Sequence, residues 1–204
     1  MKDLGLGGLL QLKIQQHRNR KIEELMKRFD PATRTLGVHG RELVITEDDV
    51  ERILGLAGGR KDISRLNSML QELGQKCKMR KDSRKELIAN MEGIENNEEW
   101  QANFILLAIH CVLRPTSALY CGPASLDFID DGHGLENMNW CRYVLDGLVL
   151  GALDFHNQLK NLEGGKSLSL RLKGCTLLLE VVMQSFEYAA IYELFVNTYF
   201  SQNI

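Results

Sequence analysis

The sequence has few of the features that identify membrane-spanning or disulfide-bonded proteins. No segment reaches the roughly 18 consecutive apolar residues of a transmembrane helix, since the apolar stretches at 104–113 and 177–179 are too short. The five cysteines are odd in number, and no two of them form a C-x-x-C pair. They lie at positions 77, 111, 121, 141 and 175. Because three of them (111, 141 and 175) lie inside apolar stretches, we expect buried, reduced thiols and a soluble intracellular protein.

Catalytic and metal-binding motifs are also missing. The five histidines form no H-E-x-x-H or H-x-x-x-H pattern and no cysteine pair at ligand spacing, so we predict no metal and no cofactor. No G-x-S-x-G surrounds Ser117, and the GGKS at 164–167 lacks the first glycine of a phosphate-binding loop. Cys121 and the glycine after it match the nucleophile dipeptide of some cysteine proteases, but of the histidines upstream, neither His39 nor His110 has the expected tryptophan after it. We therefore predict a non-enzyme, with a cryptic hydrolase using Cys121 or Ser117 as an alternative.

Charge is segregated along the chain, although the formal net charge is only −2. Residues 60–85 carry nine Lys or Arg against three acids, and residues 86–99 carry five Glu and no base. The densest basic stretch holds six cations: Lys76, Lys78, Arg80, Lys81, Arg84 and Lys85. Three interpretations fit this stretch: a solvated face, a nuclear import signal or a nucleic-acid contact. No aromatic residue lies between Phe29 and Trp100 to stack on bases, so nucleic-acid binding is an alternative function and not the first choice.

Composition and residue patterns predict a mainly α fold. With 44% hydrophobic and 25% charged residues, the chain is expected to form one compact domain over residues 1–204. Apolar spacing predicts a helix from Leu9 to Phe29, and the alternation at 36–45 predicts one short β-hairpin near the N-terminus. Thr46, with Asp49 three residues later, predicts a capped start for the helix that follows.

The second half of the chain is more apolar and is expected to supply most of the core, because every aromatic residue except Phe29 lies at Trp100 or beyond. Further helices are predicted at 62–76, 82–93, 98–113, 139–161 and 173–186. Gly147 and Gly151 lie four residues apart on one face of a predicted helix. Two glycines at that spacing predict a close approach by another backbone.

An unbroken apolar run ends abruptly at the segment from Arg114 to Ser117. Pro115 cannot donate a backbone hydrogen bond and disfavours helical geometry in the residue before it, so the helix must end near Leu113. Thr116 or Ser117 can then cap the next turn, and Arg114 is expected beside the exposed carbonyls of the helix end. Structural roles therefore account for the whole segment.

The C-terminal segment FEYAAIYELFVNTYF predicts an aromatic stripe on a helix. Its members are Tyr188, Tyr192, Phe195 and Tyr199. If exposed, these side chains would suit a protein-binding surface, since aromatic residues dominate the energetics of interfaces. The alternative is that the stripe packs back onto the core.

Five segments, taken in their order, resemble the plant mobile domain, a family found in plant retroelements, transposons and their domesticated host relatives. They are GLGGLLQLK, LMKRFDPATRTLGVHGRELVITEDDVERILGLAGG, FILLAIHCVLRPTSALY, NMNWCRYVLDGLVLGAL and KGCTLLLEVVM. The likeness covers roughly residues 4–185. Arg114 departs from the family pattern, in which a small residue or cysteine often precedes the proline.

This resemblance implies a mostly helical, non-enzymatic protein-interaction scaffold linked to transposon silencing or gene regulation. It implies a nuclear location, with the cytoplasm as the alternative, and a phosphatase or a chromatin factor as the protein partner. It places Pro115, Thr116, Ser117 and Trp140 at scaffold positions, while Ala57 departs from a position where proline is common. No cofactor and no membrane contact are expected.

Overall fold

The computed structural model describes residues 5–11, 19–56, 72, 83–93, 97–115, 139–163 and 170–186. The elements are α1 (Asn19–Arg28), β1 (Phe29–Asp30), β2 (Thr35–Val38), β3 (Arg41–Val44), α2 (Glu47–Leu54), α3 (Ser83–Met91), α4 (Glu98–Ala108), α5 (Trp140–Glu163) and α6 (176–186). A 3-10 helix (Gly7–Gln11) precedes α1, and a π-helical turn (Ile109–Leu113) continues α4. The chain is mainly α with a small antiparallel sheet near its N-terminus, which confirms the predicted fold class. Of the predicted helix at 62–76, only residue 72 is described.

The predicted hairpin is present as β2 and β3. Leu36 pairs with Leu43, and the two-residue loop between the strands has positive φ at both His39 (49°) and Gly40 (76°). Positive φ at both loop positions is the geometry of a type I′ turn, whose twist matches that of the flanking strands. The hairpin therefore follows from residues that are local in sequence.

β1 was not predicted. The expected helix from Leu9 to Phe29 ends instead at Arg28, and Phe29 pairs with Leu36 as the start of a third strand in the order β1-β2-β3. Asp30 then turns the chain, because its carboxylate accepts hydrogen bonds from the backbone N–H of Ala32 (2.9 Å) and the hydroxyl of Thr33 (2.9 Å). Burial of Phe29 against the sheet prevails over the continuation of the helix.

The N-terminal part of the predicted first helix also differs from expectation. Residues 7–11 form a 3-10 helix, and Gly8 packs against Gly55, which caps the C-terminal end of α2 in the left-handed conformation with φ 60°. At the other end of α2, Thr46 and Asp49 form the predicted capping box.

Both halves of the chain contribute to the core, and the second half holds most of it, as expected: 18 of the 30 buried hydrophobic residues in the described ranges lie at Ala102 or beyond. α5 carries fully buried Trp140 and Phe155, and α1, α2 and the π-helical turn all pack against it. Phe29 and Leu36 are buried as completely as these α5 side chains. Burying each such side chain stabilises the fold by about 1.5–3 kcal/mol.

The end of the predicted 98–113 helix falls where Pro115 requires it, but its last turn is π-helical. The N–H of Arg114 donates to the carbonyl of Ile109 at 2.9 Å, a bond that spans five residues. The side chain of Arg114 was expected beside the carbonyls of the helix end. It lies instead across α5, with its guanidinium carbon 5.4 Å from the ring centroid of Tyr143 and its stem over Gly147.

The glycine pair of α5 confirms the predicted close approach of a second backbone. A Cβ on Gly151 would overlap the carbonyl oxygen of Lys173, and the N–H of Gly174 donates to the carbonyl of Pro115 at 3.0 Å. The ammonium of Lys173 also lies 2.8 Å from the carboxylate of Asp154 on α5. Segment 170–175 is thus held across α5 before α6 begins.

Candidate functional site

Most of the residues predicted to bind a partner lie outside the described part of the chain. This holds for the whole aromatic stripe, Tyr188, Tyr192, Phe195 and Tyr199, and for four of the six basic residues, Lys76, Lys78, Arg80 and Lys81. Arg84 and Lys85 are described, and both are exposed in the first turn of α3. Their role in nucleic-acid binding stays a prediction. Cys121 and Ser117 also lie outside, so the hydrolase alternative is equally untested.

The described cysteines differ from one another in exposure. Cys141 and Cys175 are buried as expected, and burial raises the pKa of Cys141 to about 11 and that of Cys175 to about 12. Cys111 is exposed, contrary to the expectation drawn from its apolar neighbours. The π-helical turn directs the side chains of Ile109 and His110 into the core, and Cys111, the next residue, lies on the outer side of the turn.

His110 is a buried polar residue in the π-helical turn. It is 4% exposed, and its Nδ1 has no hydrogen-bond partner among the residues that the structure describes. Burial, followed by the positive charge of Arg84, lowers the pKa of His110 below its ordinary value. In the described ranges no cluster of three or more His, Cys, Asp or Glu side chains could hold a metal ion.

An open groove lies between β3, α2 and α6, and we call it the edge groove. Its volume is about 380 Å³. The lining residues are Glu42, Leu43 and Val44 of β3, Asp49, Arg52 and Ile53 of α2, and Val182, Ser185 and Phe186 of α6. Five of these nine side chains are apolar, so the lining is mixed, with apolar and polar groups side by side. Val44 is 62% exposed, which is unusual for a valine on a strand.

The strand that borders the edge groove has free backbone groups. In a hairpin with a two-residue loop, alternate residues of each strand exchange hydrogen bonds with the partner strand, and in β3 these include Leu43. The bond of 2.9 Å from the N–H of Ile45 to the carbonyl of Arg34 continues the same alternation. The N–H and C=O groups of Glu42 and Val44 therefore point to the outer edge, and in the part of the chain described they have no backbone partner.

Among the charged side chains that line the edge groove, one carboxylate has no partner in the described part of the chain. Asp49 accepts hydrogen bonds from the backbone N–H (2.9 Å) and hydroxyl (2.8 Å) of Thr46 and is also bonded to the guanidinium of Arg52. Arg41 lies over the ring of Phe186 at 5.8 Å, which ties the hairpin to α6. The carboxylate of Glu42 forms no ion pair or hydrogen bond with any described residue.

Sequence reasoning missed the edge groove because its walls come from segments far apart in the chain. Two signals were nevertheless present. First, the single predicted hairpin must have a strand at its outer edge. Second, Val44 is an apolar residue between Leu43 and Ile45, at a strand position where alternation predicts an outward-facing side chain.

Comparison with known families assigns the chain. A family model matches residues 1–180, which is most of the sequence. The chain belongs to DUF8566. This family is described as a domain of unknown function. No curated protein and no solved structure matches this DUF8566 chain.

The resemblance to the plant mobile domain is therefore wrong. DUF8566 is the family that matches, and no match to the plant mobile domain accompanies it. The segments that suggested the resemblance have general structural roles, which explains why their order misled. Pro115 follows the end of a helix, the glycines of α5 admit a neighbouring backbone, and Trp140 is buried at the start of α5.

Proposed function

We propose that this DUF8566 domain is a non-enzymatic protein-interaction module and that the edge groove is its binding surface. One observation carries the proposal: a concave surface lined by apolar and polar side chains is open beside the edge of β3, which pairs with no other strand in the described part of the chain. The free N–H and C=O groups of an edge strand are a template on which another chain can pair.

The proposal keeps the sequence-based expectation of an interaction scaffold but changes the contact surface from the C-terminal aromatic stripe to the edge groove. The expected nuclear location, silencing role and phosphatase or chromatin partner depended on the plant mobile domain. These expectations lose their support with that resemblance and are not part of the proposal.

Selection of binders from a random-peptide library tests the proposal. The bait is the full chain, and each selected peptide is measured against two variants on α6. Ser185→Arg places a long charged side chain in the edge groove, whereas Gln184→Arg makes the same change on an exposed neighbour that does not line it. Binding should be lost in Ser185→Arg and retained in Gln184→Arg. Peptides that bind both variants equally, or the failure of any peptide to bind, would contradict the proposal.

A further inference from the structure

We infer that the edge groove binds an extended peptide with a basic residue, which joins β3 as a fourth strand of the sheet. The inference rests on the proposed function and specifies the chemistry of the partner. It depends on three properties of the groove: the direction of the free backbone groups of β3, the apolar lining residues that pack against the core, and the unpaired carboxylate of Glu42.

The backbone of β3 selects an extended ligand. Glu42 and Val44, which both line the edge groove, each direct one N–H and one C=O group to the outer edge of β3, and the two residues are about 7 Å apart along the strand. An extended peptide repeats its own donors and acceptors at the same spacing, so it can satisfy all four groups. A helical peptide uses its N–H and C=O groups internally and cannot satisfy them.

The two faces of the added strand would meet different surroundings. Leu43 lies on the buried side of the sheet and lines the groove together with Ile53 and Val182, all three packed against the core. A peptide residue beside Leu43 would therefore point toward these apolar side chains. Residues beside Glu42 and Val44 would lie on the outer face, next to a carboxylate and an exposed valine. The expected pattern is a basic residue, an apolar residue and a β-branched residue in succession, with the basic residue beside Glu42.

Charge decides between a peptide and a second copy of this chain. Arg52 is engaged by Asp49, whereas Glu42 forms no ion pair with any described residue. Pairing of two β3 edges would bring a second unpaired Glu42 to the same edge, and like charges on neighbouring strands are unfavourable. A peptide with a lysine or arginine supplies the missing charge.

Methylation of peptide amides tests the strand geometry, with peptides selected against the full chain. In an added strand only alternate N–H groups face β3, so methylation at those positions should weaken binding about tenfold or more, and methylation between them should have little effect. Amide hydrogen exchange at Glu42 and Val44 should slow when the peptide binds. Loss of the alternation, with no added protection at these two residues, would overturn the strand geometry even if Ser185→Arg still abolished binding.

Two substitutions on β3 test the same geometry from the protein side. Val44→Pro removes an outward N–H that the sheet does not use, so this variant should fold but should no longer bind the peptide. Val44→Ala keeps the N–H and should still bind the peptide. Glu42→Lys should change the selected peptides from basic to acidic. Unchanged selection by Glu42→Lys, or a dimer of the full chain that Val44→Pro dissociates, would overturn the proposed ligand. Should Val44→Pro fail to fold, the methylation series decides the question.

Discussion

Gly8 and Gly55 are in direct backbone contact. The N–H of Gly8 donates to the carbonyl of Gly55 at 3.2 Å, and a Cβ on Gly8 would overlap the carbonyl oxygen of Leu54. Because backbone atoms on both sides cannot move away cheaply, Gly8→Ala should reduce the free energy of unfolding by about 1–3 kcal/mol. Urea denaturation of the variant and of wild type measures this difference.

Gly37→Ala is the matched control for that prediction. A Cβ at Gly37 would lie 3.7 Å from the carbonyl oxygen of Arg28, an ordinary contact, and alanine is accepted by a β-strand. The unfolding free energy of the control should lie within about 0.5 kcal/mol of the wild-type value. Equal midpoints for Gly8→Ala and Gly37→Ala would show that the N-terminal 3-10 helix does not dock at α2.

The two glycines of α5 should respond differently to the same substitution. Gly151→Ala drives a methyl group into the carbonyl of Lys173 and should cost about 1–3 kcal/mol of unfolding free energy. Gly147→Ala places its methyl group 3.0 Å from Cγ of Arg114, a flexible side chain that can shift. Alanine gains up to about 1 kcal/mol over glycine within a helix, so Gly147→Ala should be close to neutral. Thermal or urea unfolding of the pair measures the contrast, and a larger loss at Gly147 would contradict it.

His110 should make stability depend on pH in a defined direction. Burial, followed by the charge of Arg84, lowers its pKa in the folded state below the ordinary 6.5. The unfolded chain therefore binds a proton that the folded chain rejects, and the unfolding free energy should fall as the pH drops below 6.5. Above that pH both states are neutral at this residue and its contribution is constant.

His110→Phe isolates this effect. The variant cannot titrate at this position and removes the unpartnered Nδ1, so above pH 6.5 it should gain about 1 kcal/mol. The gain over wild type should widen at lower pH. Urea midpoints on both sides of pH 6.5 give the difference curve, and a flat difference curve would rule out His110 as the source.

Alkylation should separate the described cysteines. The thiolate is the form that reacts, and burial raises the pKa of Cys141 to about 11 and that of Cys175 to about 12. Cys111 is an exposed residue. Neighbouring protein atoms still shield its thiol from part of the solvent, and this burial raises the pKa of Cys111 as well. Iodoacetamide should therefore modify Cys111 well before the other two in the native protein, as peptide mass mapping would show. Denaturant should abolish the difference, and early modification of Cys175 would contradict the packing of segment 170–175.

Local signals predicted much of the fold. Thr46 and Asp49 reach each other within one helical turn, so their capping box could be inferred from spacing alone. The hairpin at 36–45 and the close approach at the glycine pair of α5 were also predicted, because alternation and glycine spacing are read from a few neighbouring residues. These features need no knowledge of distant segments.

Features that depend on distant segments could not be predicted. β1 exists because Phe29 gains burial beside Leu36, and the side chain of Arg114 leaves the helix end because Tyr143 and Gly147 offer a surface for it. The candidate site has the same origin, because no pattern near β3 indicates that α6 forms the opposite wall. The family assignment failed for a related reason: short apolar motifs reflect packing needs common to many helical proteins.

The edge groove combines pieces from opposite ends of the sequence. The DUF8566 match stops at residue 180, whereas the α6 wall is made by Val182, Ser185 and Phe186. A chain cut after residue 180 would retain the whole matched segment and β3, yet would present only two sides of the groove. Any ligand that needs all three sides would thus distinguish chains that include the folded α6 from chains that have lost it by cleavage.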